Sequence, residues 1–155
     1  DKIMTRFLRS IDGIRIALRI ENYEPTKKVG WDDQWCTCSW SFNNNYGLRY
    51  NMKHNPALMT CEVENVEKNL SSLLSGEMET KKTIACIEPY FKFIFYPETD
   101  ELNCYVEWIV NFWNHGALTD NYFAIVLWKN DIEALRDYFS AVIEKGTRIA
   151  NESIE

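Results

Sequence analysis

The chain has 155 residues, 46% of them hydrophobic and 14% aromatic, which is enough apolar material for a sizeable core and too much for a disordered segment. Its formal net charge is −6, unevenly placed: residues 1–55 hold 9 basic and 6 acidic side chains, residues 56–155 hold 8 and 17. An acidic balance disfavours a phosphate backbone and favours a basic protein as partner, and no apolar run approaches the ~18 residues that cross a bilayer, so we expect one domain over residues 1–155 with no nucleic-acid and no membrane partner.

Met4, Phe7, Leu8 and Ile11 recur at helical spacing, but residues 1–12 read equally as a short leading helix or as a strand running into the Asp12-Gly13 turn. The period then becomes two. Ile14, Ile16, Leu18 and Ile20 alternate with Arg15, Ala17 and Arg19, the pattern of a half-buried strand. After a polar loop bounded by Glu24-Pro25 and Gly30, a second strand is predicted at Trp35–Phe42, with Cys36, Cys38, Trp40 and Phe42 on one face. Asn43-Asn44-Asn45 supplies a turn, because asparagine tolerates left-handed backbone, and Tyr46–Met52 returns as a third strand.

Pro56 breaks this pattern. Val63, Val66, Leu70, Leu73 and Leu74 then fall on one face of an amphipathic helix. Thr60 stands at its N-cap position, Glu62 and Glu64 near the positive end of its dipole, and Gly76 where a left-handed residue would close it. Four more strands are expected at Lys81–Ile87, Tyr90–Tyr96, Leu102–Trp113 and Asn121–Trp128, with Pro97-Glu98-Thr99-Asp100 as a hairpin turn. A last helix begins at Asn130, with Glu133 as its capping-box partner and Ile132, Leu135, Phe139, Val142 and Ile143 as its apolar stripe. Gly146 stops it, and residues 150–155 read as frayed. The order βββ-α-ββββ-α predicts an α+β fold of about seven strands and two amphipathic helices. The strands would form a curved antiparallel sheet or two packed sheets. No internal repeat is visible.

The chemistry-bearing residues are sparse. No G-x-S-x-G elbow, H-E-x-x-H, P-loop or dinucleotide fingerprint occurs, so no catalytic set and no enzyme activity is expected. The five cysteines (Cys36, Cys38, Cys61, Cys86, Cys104) lack ligand spacing to His54 and His115, which argues for reduced, buried thiols, no metal and no cofactor. Asp32-Asp33 beside tryptophans suggests a sugar-cleaving pair, but a turn or cap role fits a small domain better. Glu88, before Pro89, is expected to pin a corner by bonding loop amides. His54 reads as a solvated loop residue. Trp35, Trp40, Trp108 and Trp128 are expected in the core, and Trp31 and Trp113 at element ends as exposed anchors.

The segments Ile16-Ala-Leu18, Tyr23-x-Pro25, Asp32-Asp-Gln-Trp35, Leu58-Met-Thr60-Cys-Glu62-Val63 and Glu88-Pro89-x-Phe91-x-Phe93 follow one another in a recognisable order. Taken together, they resemble the WapI family of immunity proteins. The match spans about residues 14–95; Gln34 and Cys36 stand where the pattern has asparagine and leucine, and Asn69-Leu70-Ser71 where it often has tryptophan. The resemblance implies a cytoplasmic inhibitor that binds the toxic C-terminal domain of a WapA-type protein, commonly a nuclease, and it carries no contact positions with it. Acid density on predicted loops picks Glu98, Asp100 and Glu101 as the toxin-binding surface, with Asp32 and Trp31 as a second group. The alternative is a small-ligand-binding β domain with a guest among Phe91, Phe93, Trp108 and Trp128.

Overall fold

Alternating apolar residues give each strand one greasy face, and burying those faces against one another decides the architecture. The computed structural model describes residues 6–24, 34–112 and 121–147. In chain order these form β1 (Phe7–Ile11), β2 (Ile14–Ile20), β3 (Trp35–Asn43), β4 (Arg49–Met59), α1 (Thr60–Ser75), β5 (Lys82–Ala85), β6 (Phe91–Tyr96), β7 (Tyr105–Asn111), β8 (Tyr122–Leu127) and α2 (Lys129–Lys145). The strands make two four-stranded antiparallel sheets, β1-β2-β3-β4 and β5-β6-β7-β8. Of the two arrangements expected, the two-sheet form is therefore the one found, with β1 as the additional strand. Each sheet is a meander followed by a helix, so the chain builds the same four-strand-plus-helix unit twice without any visible sequence echo.

The inner faces of the two sheets meet directly. Trp40 of β3 lies edge-on to Tyr90 and Phe91, with ring centroids 5.0 and 4.8 Å away. Trp108 of β7 packs on Phe42 at 6.0 Å, Phe7 at 6.4 Å and Phe93 at 5.8 Å. The two helices pack on each other, α1 also on β4 and β6, and α2 on β1, β7 and β8. Val63, Val66, Leu70 and Leu73 of α1 and Ile132, Leu135, Phe139 and Val142 of α2 complete the same core. Such interlocked aromatics and aliphatics carry most of the stability, at roughly 1.5–3 kcal/mol for each large side chain fully withdrawn from water.

Several expectations need correction. β4 does not stop at Met52 but runs through Pro56 to Met59. Proline survives there because β4 is an edge strand, where a missing N–H costs no ladder bond on the open side. Register shifts against β3 at Cys36/Thr37 and Cys38/Trp40 mark bulges in this stretch. His54 belongs to this strand rather than to a loop. Its φ is +55°, and its ring Nδ1 lies 2.7 Å from Glu21 Oε2.

The N-cap of α1 is Met59, not Thr60. Thr60 instead accepts the amide of Gln34 at its hydroxyl, 3.2 Å away. Glu62 caps the helix from within, taking the Met59 amide at 2.9 Å. Gly76, at φ +84°, closes the helix, as its left-handed backbone requires. α2 begins one residue early, at Lys129; its N-cap position holds Trp128, which makes no side-chain cap bond, and Asn130 lies inside the first turn. Trp40 and Trp108 are buried as expected, whereas Trp35 and Trp128 are exposed, 36% and 45% respectively. Trp35 alternates out of phase with the buried Cys36, Cys38, Trp40 and Phe42, and Trp128 directly follows the buried Leu127, so each side chain falls on the outer face. Trp31, Trp113, His115 and residues 150–155 lie outside the described residues.

Candidate functional site

The loop between β6 and β7 is held rigid by one residue. The Thr99 amide donates to the Leu102 carbonyl at 2.9 Å, and the Thr99 hydroxyl accepts the amides of Leu102 at 3.1 Å and Glu101 at 3.4 Å. This local network stands in for a backbone turn. It fixes Glu98, Asp100 and Glu101 at exposed positions on a short, ordered tip.

Beneath the tip runs a groove of about 900 Å³. One wall is the C-terminal end of α1 and the residues after it (Leu73, Leu74, Gly76, Met78), the other the loop itself (Glu98, Asp100, Cys104), and Lys129 opens α2 at the end. Two carboxylates face one ammonium here. The last carbonyls of α1 add the negative end of the helix dipole, and no basic residue occupies its last turn. The groove is thus suited to a cationic side chain whose apolar stem can lie on Leu74 and Met78. A smaller recess of about 380 Å³ continues past Asn103 and Lys129 to Trp128 and the Arg9–Asp131 ion pair, 2.9 Å long.

The structure therefore brings Glu98 and Asp100 together along one groove. Glu101 stands exposed on the same tip but outside the lining. Asp32 and Trp31 lie outside the described residues. The contributions of α1 and Lys129 were not foreseen, because they come from segments remote in the chain.

The remaining chemistry-bearing groups are tied into structure. Burial pushes the Cys36 thiol up to about 12 and raises Cys38 and Cys86 as well, so all three stay protonated at neutral pH. Two thiols depart from the expectation of burial: Cys61 is exposed at the start of α1, and Cys104 is half-buried beside the groove. Glu21 just after β2, Ser39 on β3 and His54 on β4 lie together, but the Ser39 hydroxyl donates to Glu21 and accepts the His54 amide. Its proton is committed to a carboxylate, not to a ring nitrogen that could remove it. The corner before β6 is pinned by Glu62 rather than by Glu88: the Ile87 amide donates to Glu62 Oε2 at 2.9 Å. Among the described residues no group of three histidines, cysteines or carboxylates has metal-binding geometry, and no helix is long and apolar enough to cross a membrane.

The described residues thus form a twin-sheet α+β body with an acid-lined groove between the end of α1 and the β6–β7 loop. Across residues 6–146 the chain matches the Immunity protein WapI-like family, and it belongs to that family. No curated protein matches it in sequence. Among solved structures it is similar to one titled "Structure of the plant transcriptional regulator PBF-2", at 12% identity and a TM-score of 0.41, covering 100% of this chain and 90% of that one.

Proposed function

We propose that this protein is a cytoplasmic antidote that binds the C-terminal toxic domain of a WapA-type protein and occupies its active face without turning anything over. Membership of the immunity family over nearly the whole chain is the observation that carries this reading. The toxin is taken to be a nuclease, whose substrate-holding surface must be basic. Glu98, Asp100 and Glu101 on their braced tip are the contact surface, with basic side chains of the toxin entering the groove beside Leu74 and Met78. Electrostatic complementarity of this kind sets encounter rate and partner choice, and apolar burial at the centre holds the complex. The whole chain is taken to act as one domain.

The ligand-carrier alternative loses its support. Phe91, Phe93 and Trp108 are each at most 1% exposed and fill one another's space, and Trp128 faces away from them toward solvent.

The test is co-expression with the toxin domain encoded just upstream, scored as bacterial growth. The chain should restore growth, and the triple reversal Glu98→Lys, Asp100→Lys, Glu101→Lys should abolish the rescue while leaving the fold intact by circular dichroism. Full rescue by the triple variant would remove this tip as the contact surface. No rescue by the unaltered chain would remove that toxin as the target.

A further inference from the structure

Among the described residues the two four-stranded sheets have four edge strands: β1, β4, β5 and β8. An edge strand displays unpaired amides and carbonyls that invite another chain, and proteins blunt such edges with shortness, charge, proline or bulges. Three of the four edges here are blunted. β1 has five residues, and its Arg9 is paired with Asp131 of α2. β4 carries Arg49, Lys53, Pro56 and two register shifts. β5 has four residues and begins with Lys82.

β8 has none of these devices. Its six residues, Tyr122-Phe-Ala-Ile-Val-Leu127, contain no charge and no proline, and they keep one unbroken register along β7. The Phe112 amide bonds the Asn121 carbonyl at 3.0 Å, which sets the phase of the ladder. Phe123, Ile125 and Leu127 accordingly turn their backbone groups toward β7. Tyr122, Ala124 and Val126 turn theirs outward, and β8 pairs with no other strand among the described residues. On the same side chain face Tyr122 is 56% and Trp128 45% exposed.

We propose that β8 is a homodimer interface: it pairs antiparallel with β8 of a second copy, joining the two β5–β8 sheets into one sheet of eight strands. Pairing about a two-fold axis requires the strand to suit its own reverse. Centred on Ile125, that register sets Ala124 opposite Val126 and Tyr122 opposite Trp128, apolar against apolar at each outward position, and covers the two exposed rings. A basic toxin finds nothing on this strand to recognise, since β8 carries no carboxylate, and on the adjoining sheet face Lys92 offsets Glu107. A neutral, β-branched and aromatic strand is what the edge fits, and a second copy brings one. This inference stands apart from the toxin reading.

Light scattering and sedimentation of the full chain should give twice the chain mass. Amide exchange should slow at Tyr122, Ala124 and Val126 as concentration rises, while other edge amides stay fast. Val126→Pro removes an outward N–H and no bond to β7, so the measured mass should halve with the circular dichroism unchanged. Ala124→Lys should do the same by placing like charges near the axis. Three results would overturn the proposal: a single-chain mass at every soluble concentration, a dimer that survives both substitutions, or protection of those three amides only after the toxin domain is added. The last would make β8 the seat of a toxin strand.

Discussion

The Ile87 amide donates to Glu62 across 25 residues of chain, and through that bond the first turn of α1 is fastened to the corner at which β6 begins. The same carboxylate takes the Met59 amide, so one side chain, 8% exposed, serves both halves of the molecule. Glu62→Ala strands two amides and should cost about 2–4 kcal/mol, read as a lowered urea midpoint at constant slope. Glu62→Gln keeps one acceptor and should cost about half as much.

A second long-range bond is equally exposed to test. The Ile20 amide donates to the Tyr138 hydroxyl at 2.7 Å in a fully buried setting, tying α2 to the first sheet. Tyr138→Phe keeps the ring and orphans that amide, at a cost of about 1–3 kcal/mol. The alkaline contribution of that phenol should vanish with it.

Stability should fall steeply in base. The Cys36, Cys38 and Cys86 thiols ionise near 9.0 when unfolded, and in the native state burial raises all three, Cys36 to about 12. Between those values the native state binds more protons than the unfolded one, so unfolding free energy decreases with pH. Three such groups give a slope approaching roughly 4 kcal/mol per pH unit above pH 9. Burial raises the Tyr138 phenol too, which extends the loss beyond pH 10. Melting temperatures followed from pH 7 upward should hold to about 8 and then drop, and Cys38→Ala should flatten the fall.

Gly76 supplies a smaller, sharper test. Its φ of +84° is a conformation that L side chains resist, and a Cβ added there would meet nothing within 4 Å. Gly76→Ala should therefore cost only the backbone strain, about 1–2 kcal/mol, and Gly76→Asn less. Thermal unfolding distinguishes the two.

If the acidic tip steers a basic toxin, the association rate should fall as salt rises while the dissociation rate changes little. Reversing Glu98 and Asp100 should lower the association rate and flatten its salt dependence. Stopped-flow mixing of the purified pair reads both.

How much of this was legible from residues alone depended on periodicity. α1 was readable because its apolar stripe and Gly76 obey rules confined to one segment. β4 was misjudged at Pro56 because proline is forbidden only inside a sheet, and edge position is a tertiary fact. Trp35 and Trp128 were assigned to the core against alternation, which sets Trp35 out of phase with Cys36, Cys38, Trp40 and Phe42, and Trp128 out of phase with Ile125 and Leu127. Glu98 and Asp100 were singled out from acid density on a predicted turn. Their groove was not, since Leu74, Met78 and Lys129 reach it through folding of distant stretches.

The division of the interior between the sheets has a consequence for timing. Trp40 leans on rings from β6 and its preceding corner, and Trp108 on rings from β1 and β3, so neither half holds a finished interior by itself. A nascent chain that has not yet delivered Val142 lacks the last wall of that interior. The interior is then closed only when translation has carried α2 clear of the ribosome.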